Sequence, residues 1–334
     1  MSWIFVAVSA YFLGAFAVLM DKFLLGSKRI SSPQVYTFYV GIFGLGAFLF
    51  APFGFDVPSG WQIVVALVGG AVYVGGIFAL NLSINKAEAS RVTPVVFSVV
   101  PIASYLISYF WGHENLSLAQ LGGVSLLILG GLLISFDLPL KIKPQTLRLM
   151  RKIKLSFVEN VVFVADDGGK SSNKFFDGFY AACASGILLA VSYVIFKVVY
   201  AEQEFFSGFI WTRLGGFLAA LSLLIVPGWR KAIFKSFSHA KKPSRKHVNT
   251  GGMFVVNKIL GGTSSILLNK AFQMGSVTLV NSMVSLQYVF VLILVAIAAK
   301  RHPKAFAEKL SFWDWAQKIA AIFIIAIGMI LISK

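Results

Sequence analysis

Apolar residues run through this chain in blocks of about twenty, separated by short polar stretches that hold most of the charge. A hydrocarbon core about 30 Å thick is crossed by about 20 residues of helix, because each residue rises about 1.5 Å. Runs of that length fall at 3–25, 34–52, 61–83, 92–111, 117–136, 178–200, 205–227, 251–271, 277–299 and 312–333. They predict an all-α integral membrane protein with ten transmembrane helices. The first run is expected to stay in place rather than to be cleaved as a signal peptide. No Lys or Arg precedes it, and it is longer than the apolar region of such a leader. Its positive flank, Lys22 at its end with Lys28 and Arg29 just beyond, is on its C-terminal side.

Composition agrees. Of 334 residues, 57% are hydrophobic and 13% charged, whereas a soluble domain is about half apolar and a quarter charged. The net charge of +17 would suggest nucleic acid in a soluble protein. Here the positive residues lie between the apolar runs, where they act as a topology signal, and no nucleic-acid partner is expected. With Lys22, at the end of run 1, counted with the loop it borders, the loops after runs 1, 3, 5, 7 and 9 hold three, two, eight, seven and four Lys or Arg, 24 of the 30 in the chain. Cytoplasmic loops carry the positive excess. The count therefore puts those odd loops in the cytoplasm and both termini outside. Cys183 is the only cysteine, which excludes an intramolecular disulfide and a thiolate metal cluster; it reads as a small packing residue.

Domain organisation follows from an internal repeat. Residues 71–90 (AVYVGGIFALNLSINKAEAS) align with 257–276 (NKILGGTSSILLNKAFQMGS) at a shift of 186. The alignment matches Gly75-Gly76 to Gly261-Gly262 and Ser90 to Ser276, and places Pro101 opposite Gln287. Both halves also end alike, GGLLIS at 130–135 and GMILIS at 328–333. Five helices per half is an odd number, so the second half enters the membrane in the opposite sense. The expectation is two inverted five-helix repeats, 1–136 and 178–334, joined by a basic cytoplasmic linker over 137–177. Inverted repeats are a recurrent transporter architecture, with the substrate site near the midplane.

The stretch 87–135 carries a motif set. Ala89-Ser90 is followed by Pro101, then Gly112-His113-Glu114-Asn115-Leu116-Ser117, then Leu-Gly-Gly at 121–123 and Leu-Ile-Leu-Gly-Gly at 127–131. This pattern resembles the EamA domain of the drug/metabolite transporter superfamily, with His113 interrupting the usual Gly-Glu pair. The resemblance implies a ten-helix transporter with its termini in the cytoplasm, opposite to the charge count. In the second half Gln287 replaces the expected Pro, and Lys300 to Lys309 replaces the Gly-Glu turn. Arg213 matches an Arg often found in the second helix of each repeat, and Tyr39 stands at the corresponding place in the first. Pro101, Glu114 and the paired glycines Gly75, Gly76, Gly261 and Gly262 are expected to be structural, the glycines by permitting close helix approach.

An ionisable group deep in the bilayer is a functional candidate, because burying it costs about 3 kcal/mol or more. Lys197 and Lys318 lie near helix ends and are expected to snorkel. Arg213 and Lys258 sit about seven to eight residues inside their helices, roughly 10–12 Å, and enter from opposite faces. Together they favour an anionic group on a substrate, such as a carboxylate or phosphate. Tyr73, Asn81, Tyr105 and Gln287 are polar groups that the repeat places beside the interface between halves, where each needs a partner on another helix or on a substrate.

Enzyme signatures are weak. Gly169-Lys170-Ser171 ends like a phosphate loop, but Val164 stands where its first Gly belongs. No Gly-x-Ser-x-Gly elbow occurs, and His113, His239, His247 and His302 lack zinc-protease spacing. No cofactor and no metal are expected. The expected function is an alternating-access secondary transporter, carrier or exchanger, of a small polar or anionic metabolite, with a bacterial inner membrane as the expected location. Two alternatives stand beside it. One is a lipid or amphiphile translocator of the same fold, with a cavity opening sideways between helices. The other is a non-transporting scaffold or sensor whose basic loops bind partners.

Overall fold

The computed structural model describes residues 2–25, 32–86, 89–112, 114–135, 171–238, 245–301 and 312–334. Most of the expected linker, the run Lys241 to Ser244, and the loop at 302–311 lie outside the described residues, as do His113, His239 and His302. The described chain is all-α: α1 (Ser2–Leu25), α2 (Pro33–Gly44), α3 (Gly60–Lys86), α4 (Ala89–Gly112), α5 (Leu118–Ser135), α6 (Ser171–Glu202), α7 (Phe205–Ser222), α8 (Pro227–Ser238), α9 (Arg245–Met274), α10 (Val277–Ser282), α11 (Val284–Arg301) and α12 (Phe312–Ile332). Eight of the described segments are long and apolar enough to cross a membrane, which makes this a multi-pass membrane protein. The polar stretch of α9 is not among the eight, and the described apolar run of α12, Ala316–Ile332, is shorter.

Local chemistry starts the helices where the polar breaks fall. At α3, Ser59 N–H donates to Gln62 Oε1 at 3.1 Å while Gln62 N–H donates back to Ser59 Oγ. At α5, Ser117 and Gln120 make the same reciprocal pair at 3.1 and 3.2 Å. Both are capping boxes, which satisfy amide donors that a helix start leaves open. Pro33 opens α2 with a preset φ and no N–H to lose. That run tightens into a 3-10 stretch, Leu45–Phe53, and turns at Gly54, whose φ of +136° suits only glycine.

Several elements differ from the sequence expectation: α6 begins at Ser171, inside the expected linker, and α9 begins at Arg245, six residues before the expected run. The run at 277–299 breaks at Met283 into α10 and α11, where Ser282 and Ser285 hydroxyls donate to backbone carbonyls of the preceding turn. Side-chain bonds of this kind loosen the regular ladder. The second run ends in the tighter 3-10 form. The basic stretch after 227 begins with a helix, α8.

Packing is organised around small residues. α3 lies against α6 and α7, α1 against α9 and α11, α4 against α6 and α10, α5 against α12, and α2 against α7. At the α3–α7 crossing the backbones nearly touch. A Cβ on Gly70 would sit 1.9 Å from the Thr212 carbonyl oxygen, and one on Gly215 2.2 Å from that of Leu67. Apolar side chains gather in four clusters. Tyr193 on α6 borders three of them and Tyr73 on α3 borders two, so these rings mark the centre of the molecule.

Candidate functional site

The centre is built around Arg213. It lies eight residues into α7, about 12 Å from the helix start. Its guanidinium carbon is 4.7 Å from the Phe209 ring centroid, 5.2 Å from Tyr73 and 5.8 Å from Phe196. One Nη donates to Ser265 Oγ on α9 at 2.9 Å. Gly44 on α2 completes the surround: a Cβ there would lie 3.8 Å from that of Arg213. Five helices thus meet at one cation. Among the described residues no carboxylate pairs with it. Cation–π contacts contribute about 0.5–2 kcal/mol each, against a desolvation penalty of several kcal/mol for the ion. The guanidinium therefore keeps capacity for an anion.

Nearby polar atoms point the same way. The Tyr73 and Tyr193 rings pack at a tilt of 47°, with centroids 6.2 Å apart. Neither hydroxyl has a hydrogen-bond partner among the described residues, and neither is sealed off. The Gln287 amide is in the same condition, beside Gly14 of α1. Midway through a membrane helix an unbonded polar group needs water or a ligand. By contrast, Tyr200 is satisfied: its hydroxyl donates to Asn269 Oδ1 at 2.8 Å.

Lys258 precedes Ser265 by seven residues on α9, two turns and about 10 Å, so both stand on one helix face. Lys258 is exposed, and a Cβ on Gly262, between them, would meet nothing within 4 Å.

Residues 1–136 match the family model for the EamA-like transporter family. Over those residues the chain is similar to EamA-like transporters. A solved crystal structure of a protein is also similar to this chain, covering 99% of it and 97% of the other, with a TM-score of 0.63 at 17% identity. That likeness carries the fold alone. No curated protein matches the chain. The EamA-like family is one of membrane transporters and not of enzymes.

Inside the EamA-like half, the motif residues have concrete roles. Ser117 of the turn is the α5 capping residue described above, Leu116 packs on the largest apolar cluster, and the Glu114 amide donates to the Ser108 carbonyl at 3.0 Å. Pro101 is buried in α4. Gly76 lets α6 approach, since a Cβ there would lie 2.9 Å from Leu189, and Ser185 Oγ donates to the Gly76 carbonyl. Gly75 and Gly261 have only ordinary neighbours at 3.9 Å.

Three expected site residues make their contacts elsewhere. Tyr39 exchanges a hydrogen bond with Ser236 of α8 at 3.0 Å. Asn81 donates to the Ile77 carbonyl within its own helix and reaches Thr37. The Tyr105 ring packs at a tilt against Tyr109, with centroids 5.9 Å apart. Lys197 donates to the carbonyl of Gly275, just past the end of α9, a favourable place for a cation. Sequence reasoning missed Ser265, Phe196, Phe209 and Tyr193; serines and aromatics recur in nearly every run, and nothing in their spacing singles these out.

Proposed function

We propose that the protein is an alternating-access carrier of a small anionic metabolite, built from ten membrane helices in two inverted five-helix repeats. The observation that carries this reading is Arg213, a membrane-embedded cation with aromatic and hydroxyl neighbours and no carboxylate partner among the described residues. An anion held there would take up the remaining N–H donors of the guanidinium. Tyr73, Tyr193 and Gln287 would supply hydrogen bonds to the rest of the molecule.

The helix packing supports the inverted repeat. Exchanging the halves turns α3–α6 into α9–α1 and α4–α6 into the α10–α11 unit on α1, while α5–α12 and α2–α7 map onto themselves. Each of these packings occurs. The remaining pair is unequal. α3 packs on α7, but no comparable packing joins its counterparts α9 and α2 among the described residues. The closed pair lies toward the ends where α3 and α7 begin. The open pair lies toward the ends where α2 and α9 begin, the side of the basic loops. By the positive-inside rule that side is cytoplasmic, both termini are outside, and this conformation faces inward with Lys258 at its mouth.

The test is counterflow in proteoliposomes loaded with amino acids, organic acids, sugar phosphates and nucleotide sugars. One anionic class should exchange, and Arg213→Ala should abolish the exchange. Failure of every class would overturn the carrier. A second reading has its own observation: Val255, Val256 and Ile259 are exposed beside Lys258, so the gap between α2 and α9 has apolar margins. An amphiphile with an anionic head would fit that gap, and movement of a fluorescent lipid between leaflets without counterflow would favour it.

A further inference from the structure

The helix that leads from α7 toward α9 has two unlike faces. Trp229, Ile233 and Ser236 of α8 turn toward the protein. Ile233 is fully buried with Val35, Phe38 and Ala220, the Trp229 ring packs at a tilt against Phe78 of α3 with centroids 5.4 Å apart, and Ser236 meets Tyr39. The opposite face carries Arg230, Lys231, Phe234 and Lys235, all exposed, Phe234 by 57%. At 100° per residue Phe234 falls between Arg230 and Lys231. α8 starts directly after a membrane span ends at Ile225, so it lies at headgroup depth. An exposed ring flanked by three cations at that depth matches the chemistry of helices that rest on anionic bilayers.

We infer that the outward face of α8 binds anionic phospholipid headgroups, with Phe234 inserted beside the acyl chains and Arg230, Lys231 and Lys235 on the phosphates. The inner face of the same helix grips α2 through Val35, Phe38 and Tyr39. Headgroup binding therefore acts on one wall of the gap between α2 and α9. Nothing in this inference depends on which substrate is carried.

The test uses the full chain in nonionic detergent, with Cys183→Ala and a nitroxide attached at Phe234→Cys. Dioctanoyl phosphatidylglycerol is titrated in, with dioctanoyl phosphatidylcholine as the neutral control. The label should slow only with the anionic lipid. The half-saturating concentration should rise about a hundredfold in the Arg230→Gln, Lys231→Gln, Lys235→Gln variant, and the response should weaken in 1 M salt. Equal responses to the two lipids would overturn the inference, as would an unchanged response of the variant. Dipolar broadening between labels, the same with either lipid, would mean that a second copy of the chain covers this face, and would overturn it too.

Discussion

At the scale of single residues, the cost and use of Arg213 should separate. Its charge has aromatic faces and Ser265 for company, which offset only part of its desolvation. Arg213→Gln should therefore leave the melting temperature unchanged or raise it, while counterflow falls about tenfold to a hundredfold, the loss expected for one charge-assisted hydrogen-bonded contact. Arg213→Lys should keep part of the activity, because a point charge replaces the planar fork. A variant that melts early and loses activity in proportion would assign Arg213 to packing instead. The arginine was legible in the sequence because a charge in an apolar run is conspicuous. Its neighbours were not. Phe196, Phe209 and Tyr193 are aromatic residues among 49 in the chain, and only the crossing of α6, α7 and α3 brings them to one point.

Helix crossings decide the behaviour at the scale of elements. Gly70 meets the Thr212 backbone so closely that any side chain must push α3 off α7. Gly70→Val should lower the melting temperature sharply or prevent recovery of folded protein from detergent, because backbone rather than a flexible side chain is in the way. Gly262 has open space around it. Gly262→Ala should fold normally and gain up to about 1 kcal/mol from helix propensity. Thermal melts of the two variants side by side check the contrast. Equal behaviour would mean that the α3–α7 crossing is not as tight as described. From sequence alone the paired glycines at 75–76 and 261–262 looked equivalent. Only Gly76 is at a close approach, because the first half packs α3 on α6 more tightly than the second packs α9 on α1 at the matching place. α8 was hidden for another reason. Trp229, Ile233 and Phe237 recur at helical spacing, but the surrounding charge made the segment read as a loop.

For the whole molecule the unequal pair of crossings makes a prediction about motion. If the two halves exchange roles, closing the gap between α2 and α9 must open the crossing between α3 and α7, since a carrier open at both ends would leak. Nitroxide pairs on exposed positions can follow both: Phe43 with Ile259 across the first, Val68 with Leu218 across the second, each replaced by cysteine in a Cys183→Ala background. With saturating amounts of whichever anion counterflow identifies, electron–electron distances across α2–α9 should shorten while those across α3–α7 lengthen, both by several Å and in the same fraction of molecules. Arg213→Gln should hold both distributions at their substrate-free positions, because a ligand shifts an equilibrium only through its unequal affinity for the two states. Distances that change at one crossing alone would describe a lid rather than an exchange of repeats. Distances that do not change at either, with counterflow intact, would remove alternating access between these halves as the mechanism. The outcome also bears on orientation. The gap that substrate closes should be reachable by a membrane-impermeant thiol reagent only from the cytoplasmic side, if the 24 basic residues of the odd loops have fixed the topology as the charge rule requires.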